Sequence, residues 1–177
     1  MNRVSIVGTA GSGKSTLAKA MSERLGLENI ELSAIFHDGE WAAISRDEFR
    51  DAVAERCRAD AWVTDDNYIS MVLDLVWARA DTVVALELPR RIVMWRVTKR
   101  TVKRLVFRTK LYGGVREPWS NLLMFWNPDR SIIGWAWSTY ASNRAHYRAA
   151  AEDSANAHLN FIFLQSPKEV RAFVASL

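Results

Sequence analysis

The chain has 177 residues, 24 Lys plus Arg against 20 Asp plus Glu, and a formal net charge of +4. That length suits a single α/β domain, and 49% apolar with 25% charged residues is ordinary globular composition that excludes wholesale disorder. No apolar run approaches the roughly 18 residues of a membrane span. Met1-Asn2-Arg3 leads into Val4 without a secretory signal, and the lone Cys57 excludes an internal disulfide or a multi-cysteine zinc site. A reducing, cytoplasmic setting with no membrane partner is the expectation.

Val4, Ile6 and Val7 form a short β-branched run ended by Gly8, the pattern of a buried parallel strand. From Lys14 onward Leu17, Met21 and Leu25 recur every four residues, one apolar helix face that Gly26 terminates. Glu28 to Leu32 reads as a second strand. Ser45 followed by Glu48 is a capping box, with Ile44 and Phe49 at the staple positions. The helix it opens puts Phe49, Val53 and Cys57 on one face, so Cys57 is a buried filler rather than a reactive thiol. Ala61 to Thr64 reads as a third strand running into Asp65-Asp66-Asn67-Tyr68, with a helix to about Ala80, and Thr82 to Leu88 as a fourth strand closed by Pro89.

Arg90 to about Arg108 has helical spacing, with Ile92, Trp95, Val102 and Leu105 as its expected buried positions. Leu111 to Asn127, with Gly113-Gly114 and Pro118, is the least regular stretch, a lid-like excursion over 108–128. A long helix is predicted over Asp129 to Ala151 and a last strand over His158 to Gln165. Ser166, Pro167 and Glu169 then supply the cap, first-turn proline and capping-box acid of a terminal helix. Strands alternating with helices imply a parallel sheet covered on both faces, whose ligands sit at the carboxyl ends of the strands.

Charge is unevenly spread. Between Arg90 and Arg116 there are ten basic residues and no acidic one, leaving 14 basic against 20 acidic elsewhere. Such a segment attracts phosphate, whether on a nucleotide, a nucleic acid or a membrane. Arg96 and Arg100 are one turn apart, with Lys103 and Arg104 one turn further, so these cations repel unless an anion lies among them.

Gly8-Thr9-Ala10-Gly11-Ser12-Gly13-Lys14-Ser15 matches G-x-x-x-x-G-K-[ST] at every fixed position, between a predicted strand and a predicted helix. Glycines let the backbone turn tightly so that successive amides point at phosphate oxygens. Lys14 reaches the β and γ phosphates, Ser15 is placed to ligate Mg²⁺, and the helix N-terminus adds partial positive charge. Gly8 through Ser15 and the adjoining Thr16 are therefore the nucleotide-binding candidates. A purely structural glycine turn is the bland alternative.

A bound triphosphate can be transferred, hydrolysed for motion, or used as a timed switch. The length and the basic helix favour transfer to a small-molecule acceptor, with a cationic lid screening the triphosphate. If the acceptor is a hydroxyl, Asp65 is the carboxylate to take or orient its proton. If it is a nucleoside monophosphate, Arg46 and Arg50 are the nearest arginines, though both also read as plain helix-surface residues. His37, His146 and His158 are scattered and form no metal set. Four of the eight Trp lie between Trp119 and Trp137. A stripe that closes the lid or mediates a homodimer contact accounts for them, with base stacking and membrane interfaces as other uses.

The chain resembles the adenylate-kinase/shikimate-kinase group of small P-loop kinases, and more closely the bacterial topology-modulation or adenylate-kinase-like ATPases. The resemblance rests on Gly8 to Ser15, Leu32-Ser33-Ala34-Ile35-Phe36 ahead of Trp41, Trp62-Val63-Thr64-Asp65-Asp66-Asn67-Tyr68, and Leu86-Glu87-Leu88-Pro89-Arg90-Arg91 leading to Arg96 and Arg100. It implies a three-layer fold with a five-stranded parallel sheet of order 2-3-1-4-5, an acceptor-binding helical region at 33–60, and use of ATP with Mg²⁺. By position, Arg96 would flank the adenine, Arg100 would contact phosphate, and Asp65 would act through water on Mg²⁺ or orient the acceptor. The loop at Gln165 and Ser166 would line the adenine, and Arg144 and Arg148 stand where relatives often place transition-state cations. Two departures stand out: Ser33 replaces a usual Asp and Asp66 a usual Gly. Asp38 is a substitute acid or a solvated loop carboxylate. The alternative function is a nucleotide-dependent regulatory ATPase whose 90–116 segment contacts nucleic acid, as monomer or homodimer.

Overall fold

β1 (Arg3–Gly8) is buried from its second residue onward because it pairs on both sides, with β3 (Trp62–Asp66) and with β4 (Thr82–Leu86). β2 (Glu28–Ile30) adds to β3 and β5 (Asn160–Leu164) to β4, all parallel, so the sheet order is β2-β3-β1-β4-β5. This is the order the resemblance implies. The computed structural model describes residues 1–36, 44–66, 68–109 and 118–177, without the side chains of 66, 69 and 70.

Eight helices are found among the described residues: α1 (Lys14–Leu25), α2 (Leu32–Phe36), α3 (Arg46–Arg56), α4 (Ile69–Trp77), α5 (Arg90–Val106), α6 (Ser120–Leu123), α7 (Ile132–Glu152) and α8 (Pro167–Ala175). A short 3-10 turn covers Ser154–Asn156. Alternate residues of each strand feed two cores. Val4, Ile6, Val63, Val84 and Leu86 pack on Leu17, Ala18 and Met21 of α1, with Val170 and Phe173 of α8 against them. Val7, Trp62, Val83 and Ala85 pack with Phe49 and Val53 of α3, Val72 and Val76 of α4, and Tyr147 of α7. Both faces are therefore closed by helices, as a parallel sheet requires.

Local sequence signals set several boundaries. Gly26 ends α1 in the left-handed conformation, and Ser45 with Glu48 closes the predicted capping box of α3. Ser166 caps α8 over Glu169, with Pro167 in the first turn. Cys57 is buried at the end of α3.

Two expectations, the second strand and the buried face of α5, are corrected. The second strand stops at Ile30, and Leu32 opens α2, whose first bonds run from Ala34 and Ile35 to the Glu31 carbonyl. Leu32 is buried either way, so its alternation with Ile30 did not distinguish strand from helix. The excursion at 108–128 carries α6 in its described part, packed on α5 and α7. On α5 the buried seam is Val93, Val97, Thr101 and Leu105, whereas Trp95 and Val102 point outward and Ile92 is half-buried.

The corrected seam makes an expected outcome. Val97→Ala deletes two fully buried methyl groups and is expected to cost about 2 kcal/mol, while Val102→Ala stays within about 0.5 kcal/mol. Urea midpoints of the two variants check it; equal losses would contradict this packing of α5.

Candidate active site

Gly8, Gly11 and Gly13 all take positive φ (148°, 88° and 106°), and Gly13 is the N-cap of α1 with no side-chain cap bond. The first-turn amides of α1 are thus left for an anion, and no acidic side chain occupies that turn. Lys14 is buried. Its Nζ donates to the Gly8 carbonyl at 2.6 Å and the Thr9 carbonyl at 3.2 Å, cross-tying the loop from within. Ser12 N closes a turn onto the Thr9 carbonyl.

Gly11 permits the second wall. A β-carbon there would stand 2.8 Å from the Val93 carbonyl oxygen and 2.9 Å from Val97 Cβ, so α5 rests directly on the loop. From that contact Arg96 donates to the Ser12 carbonyl at 3.1 Å. Arg100 and Arg104 follow at one-turn intervals, and all three line the same cleft as Ala10 to Leu17. The cleft is about 1040 Å³ and continues past Ile132 and Trp135 of α7 toward Arg171 and Val174 of α8.

At the loop's far end the Ser15 hydroxyl donates to Asp65 Oδ2 at 2.5 Å. Asp65 lies at the carboxyl end of β3 and is buried; its other oxygen, Oδ1, is enclosed without a hydrogen-bond partner. Burial pushes its carboxyl above the ordinary range, against the opposing pull of Ser15 and the Lys14 ammonium. An orphaned carboxylate oxygen beside a serine hydroxyl is a fitting donor set for a hard divalent cation or its water. Ser15 and Asp65 are therefore the residues that would hold Mg²⁺.

Tyr68 lies near enough to Asp65 to feel its charge. Tyr68 lines the cleft and sits in an aromatic cluster with Phe36 and Phe49, ring centroids 4.8 to 5.2 Å apart. Burial raises the Tyr68 phenol, while a hydrogen bond with Ser33 holds it down. Ser33, in place of the usual acid, thus serves the phenol. Arg50 is clamped by Asp74 at 2.9 and 2.8 Å and by the Met71 carbonyl, and Arg46 lines a separate cavity near His146 and His158. His37, Asp38, Trp41, Asn67, Lys110, Gly113, Gly114 and Arg116 lie outside the described residues, as does the Asp66 side chain.

Arg144 and Arg148 both reach Glu87, a buried carboxylate just past β4: Arg144 Nε at 3.1 Å, Arg148 through Nε at 3.0 Å and Nη2 at 2.7 Å. Neither lines the cleft. Gln165 is exposed, gives its amide to Glu169 at 2.8 Å, and also stands outside the lining. Sequence reasoning left out Tyr68, Trp135, Arg24 and Arg171 of the lining, and Glu87. Glu87 alone had a visible signal, an acid set among the apolar residues of a predicted strand.

No family model matches the sequence, and no curated protein matches it. Among solved structures, a shikimate kinase from Acinetobacter baumannii in complex with shikimate is similar: TM-score 0.59 at 16% identity, covering 99% of this chain and 90% of that one. The chain therefore has the three-layer, phosphate-loop kinase fold.

A carboxyl raised on folding costs stability. The cost appears as pH climbs past the ordinary aspartate value of about 4 and is complete above the raised one. Asp65→Asn removes it, so the ligand-free variant is expected to be more stable than the parent at neutral pH, with the gap closing as pH falls toward about 4. Urea midpoints across that range check the sign; a less stable variant at neutral pH would mean that Ser15 and Lys14 outweigh burial.

Proposed function

We propose that the chain is an ATP- and Mg²⁺-dependent kinase that transfers a phosphoryl group to a small-molecule acceptor. The observation that carries this reading is the row Arg96, Arg100 and Arg104 facing the phosphate loop across one cleft. Phosphoryl transfer spreads negative charge over the moving group, and preorganised cations around it are the main catalytic device available to a protein. The fold neighbour, a kinase in complex with shikimate, supports small-molecule transfer as the class of reaction.

In this reading the amides of Gly8 to Thr16 and the Lys14 ammonium bind the polyphosphate. Arg96 flanks the nucleotide, and Arg100 stabilises charge on the transferring group. Mg²⁺ held by Ser15 and Asp65 would supply charge neutralisation at the phosphates. With a hydroxyl acceptor, its oxygen bonds to the γ-phosphorus, the bond to the β-phosphate oxygen breaks, and the proton passes to the Asp65 carboxylate. Arg144 and Arg148, paired with Glu87, hold α7 against the sheet; Gln165 at most borders the nucleotide. The acceptor enters past Tyr68.

The regulatory, nucleic-acid-bound alternative would use the cations on the outer side of α5. DNA affinity that falls with salt as about five or more phosphate contacts require would favour it. Flat or absent DNA binding would favour the kinase.

Lys14→Ala is expected to abolish ATP turnover while the circular dichroism stays native; unchanged turnover would remove the phosphate-loop assignment. Arg100→Ala is expected to lower kcat by roughly 10³-fold with a far smaller change in ATP affinity. Equal losses would make Arg100 a binding group only. ATP consumption with nucleosides, nucleotides and sugars as candidate acceptors identifies the substrate class.

A further inference from the structure

Among the described residues, the strongly exposed large apolar side chains other than Met1 all lie between Trp95 and Trp137. The same stretch holds nearly all of the basic segment. On α5, at about 100° per residue, Trp95, Val102 and Val106 fall within a narrow arc facing away from the buried seam. Trp95 is 62% exposed, Val106 64% and the following Phe107 70%. Flanking this stripe are Arg91, Lys99 and Lys103, all exposed, and Lys99 lies over the Trp95 ring at 4.7 Å. The adjoining segment packed on α5 exposes Trp119, Leu123, Phe125 and Trp126, the last 68% exposed. Arg90 is stacked 3.9 Å over the exposed Trp137.

We propose that this face of α5, with the α6 segment, docks the protein on an anionic lipid surface. Charge selects the occupant. A second copy meeting this face symmetrically would set its cations against the same cations. A nucleic acid would take the cations and aromatic planes but would lay phosphates against Val102, Val106 and Leu123. A headgroup layer over acyl chains accepts both parts: Trp, Phe and Val enter the interface while Lys and Arg reach the phosphates. The expectation of no membrane partner rested on the length of apolar runs, and no described helix is long and apolar enough to cross a membrane. That criterion bears on spanning, not on lying at the surface. Arg96, Arg100 and Arg104 line the cleft from the adjoining side of α5.

Co-sedimentation of the full chain with phosphatidylcholine vesicles, with and without phosphatidylglycerol, tests this. Binding is expected only when phosphatidylglycerol is present, weakening as salt rises. Trp95→Glu/Val106→Glu is expected to weaken it at least about tenfold, with ATP affinity and melting temperature unchanged. Should that variant unfold, Lys99→Glu/Lys103→Glu keeps the apolar stripe and must also weaken binding. No binding to phosphatidylglycerol vesicles, or binding unmoved by a folded variant, overturns the proposal. So does a dimer that the variants dissociate, which assigns the face to a second copy, or duplex-DNA binding lost in them without vesicle binding in the parent. Vesicle binding, oligomeric state and DNA binding are all read without ATP, so their outcome does not depend on the kinase reading.

Discussion

Helix α5 meets the phosphate loop at Gly11, where the Val93 carbonyl and the Val97 side chain leave no room for a β-carbon. The rest of the site follows from that approach. A helix standing one side-chain layer further off would carry its guanidiniums several ångströms away from the loop, out of reach of phosphates bound there. With α5 seated, Arg96 reaches the Ser12 carbonyl and the residues one and two turns later are carried along the same wall. The seam is correspondingly small and β-branched: Val93, Val97 and Thr101 pack close, with Leu105 where the helix leaves the loop. The Lys14 ties to Gly8 and Thr9 then hold the loop in the shape that the helix contacts.

Two buried carboxylates near the strand ends show opposite solutions to the same desolvation problem. Glu87 is met by two guanidiniums, one of them bidentate, so its charge is compensated and the group ties α7 to β4. Asp65 has a serine hydroxyl on one oxygen and nothing on the other, with one ammonium nearby. A fold selected only for stability would pair or replace it. An incompletely satisfied carboxylate hydrogen-bonded to the phosphate loop marks a position where a cation or a substrate proton completes the arrangement.

The loop, the caps at Ser45 and Ser166 and the stop at Gly26 were legible because each follows from local chemistry, and the parallel sheet from strand–helix alternation, while the strand order came only from the resemblance. The phase of α5 was not. Its apolar residues form two stripes, and the bulkiest side chain, Trp95, lies on the exposed one. Periodicity ranks such stripes by hydrophobicity, whereas the fold chose by size, because only the slimmer face fits against Gly11. The partnership of Arg144 and Arg148 with Glu87 was hidden for a related reason: a pairing across 57 and 61 positions has no local signature. Arg104 belongs to the cleft by simple helical repetition from Arg96 and could have been placed there.

In the proposed reading, the side that would take the acceptor is chemically milder than the side that would take the nucleotide. Ser33 and Tyr68 are neutral at physiological pH, Phe36 and Phe49 lie beneath them, and Arg50 is committed to Asp74. The nucleotide side holds Lys14, Arg96, Arg100 and Arg104 along one cleft. Like charges at one-turn spacing on a helix repel by about 0.2–0.5 kcal/mol per pair, and a polyanion in the cleft offsets that repulsion. Binding energy is thereby concentrated on the phosphates. In the proposed reading the acceptor would be selected by shape, by aromatic contact and by the buried carboxylate of Asp65. In that reading Asp65, hydrogen-bonded to Ser15 of the phosphate loop, would link occupancy of the nucleotide side to chemistry at the acceptor.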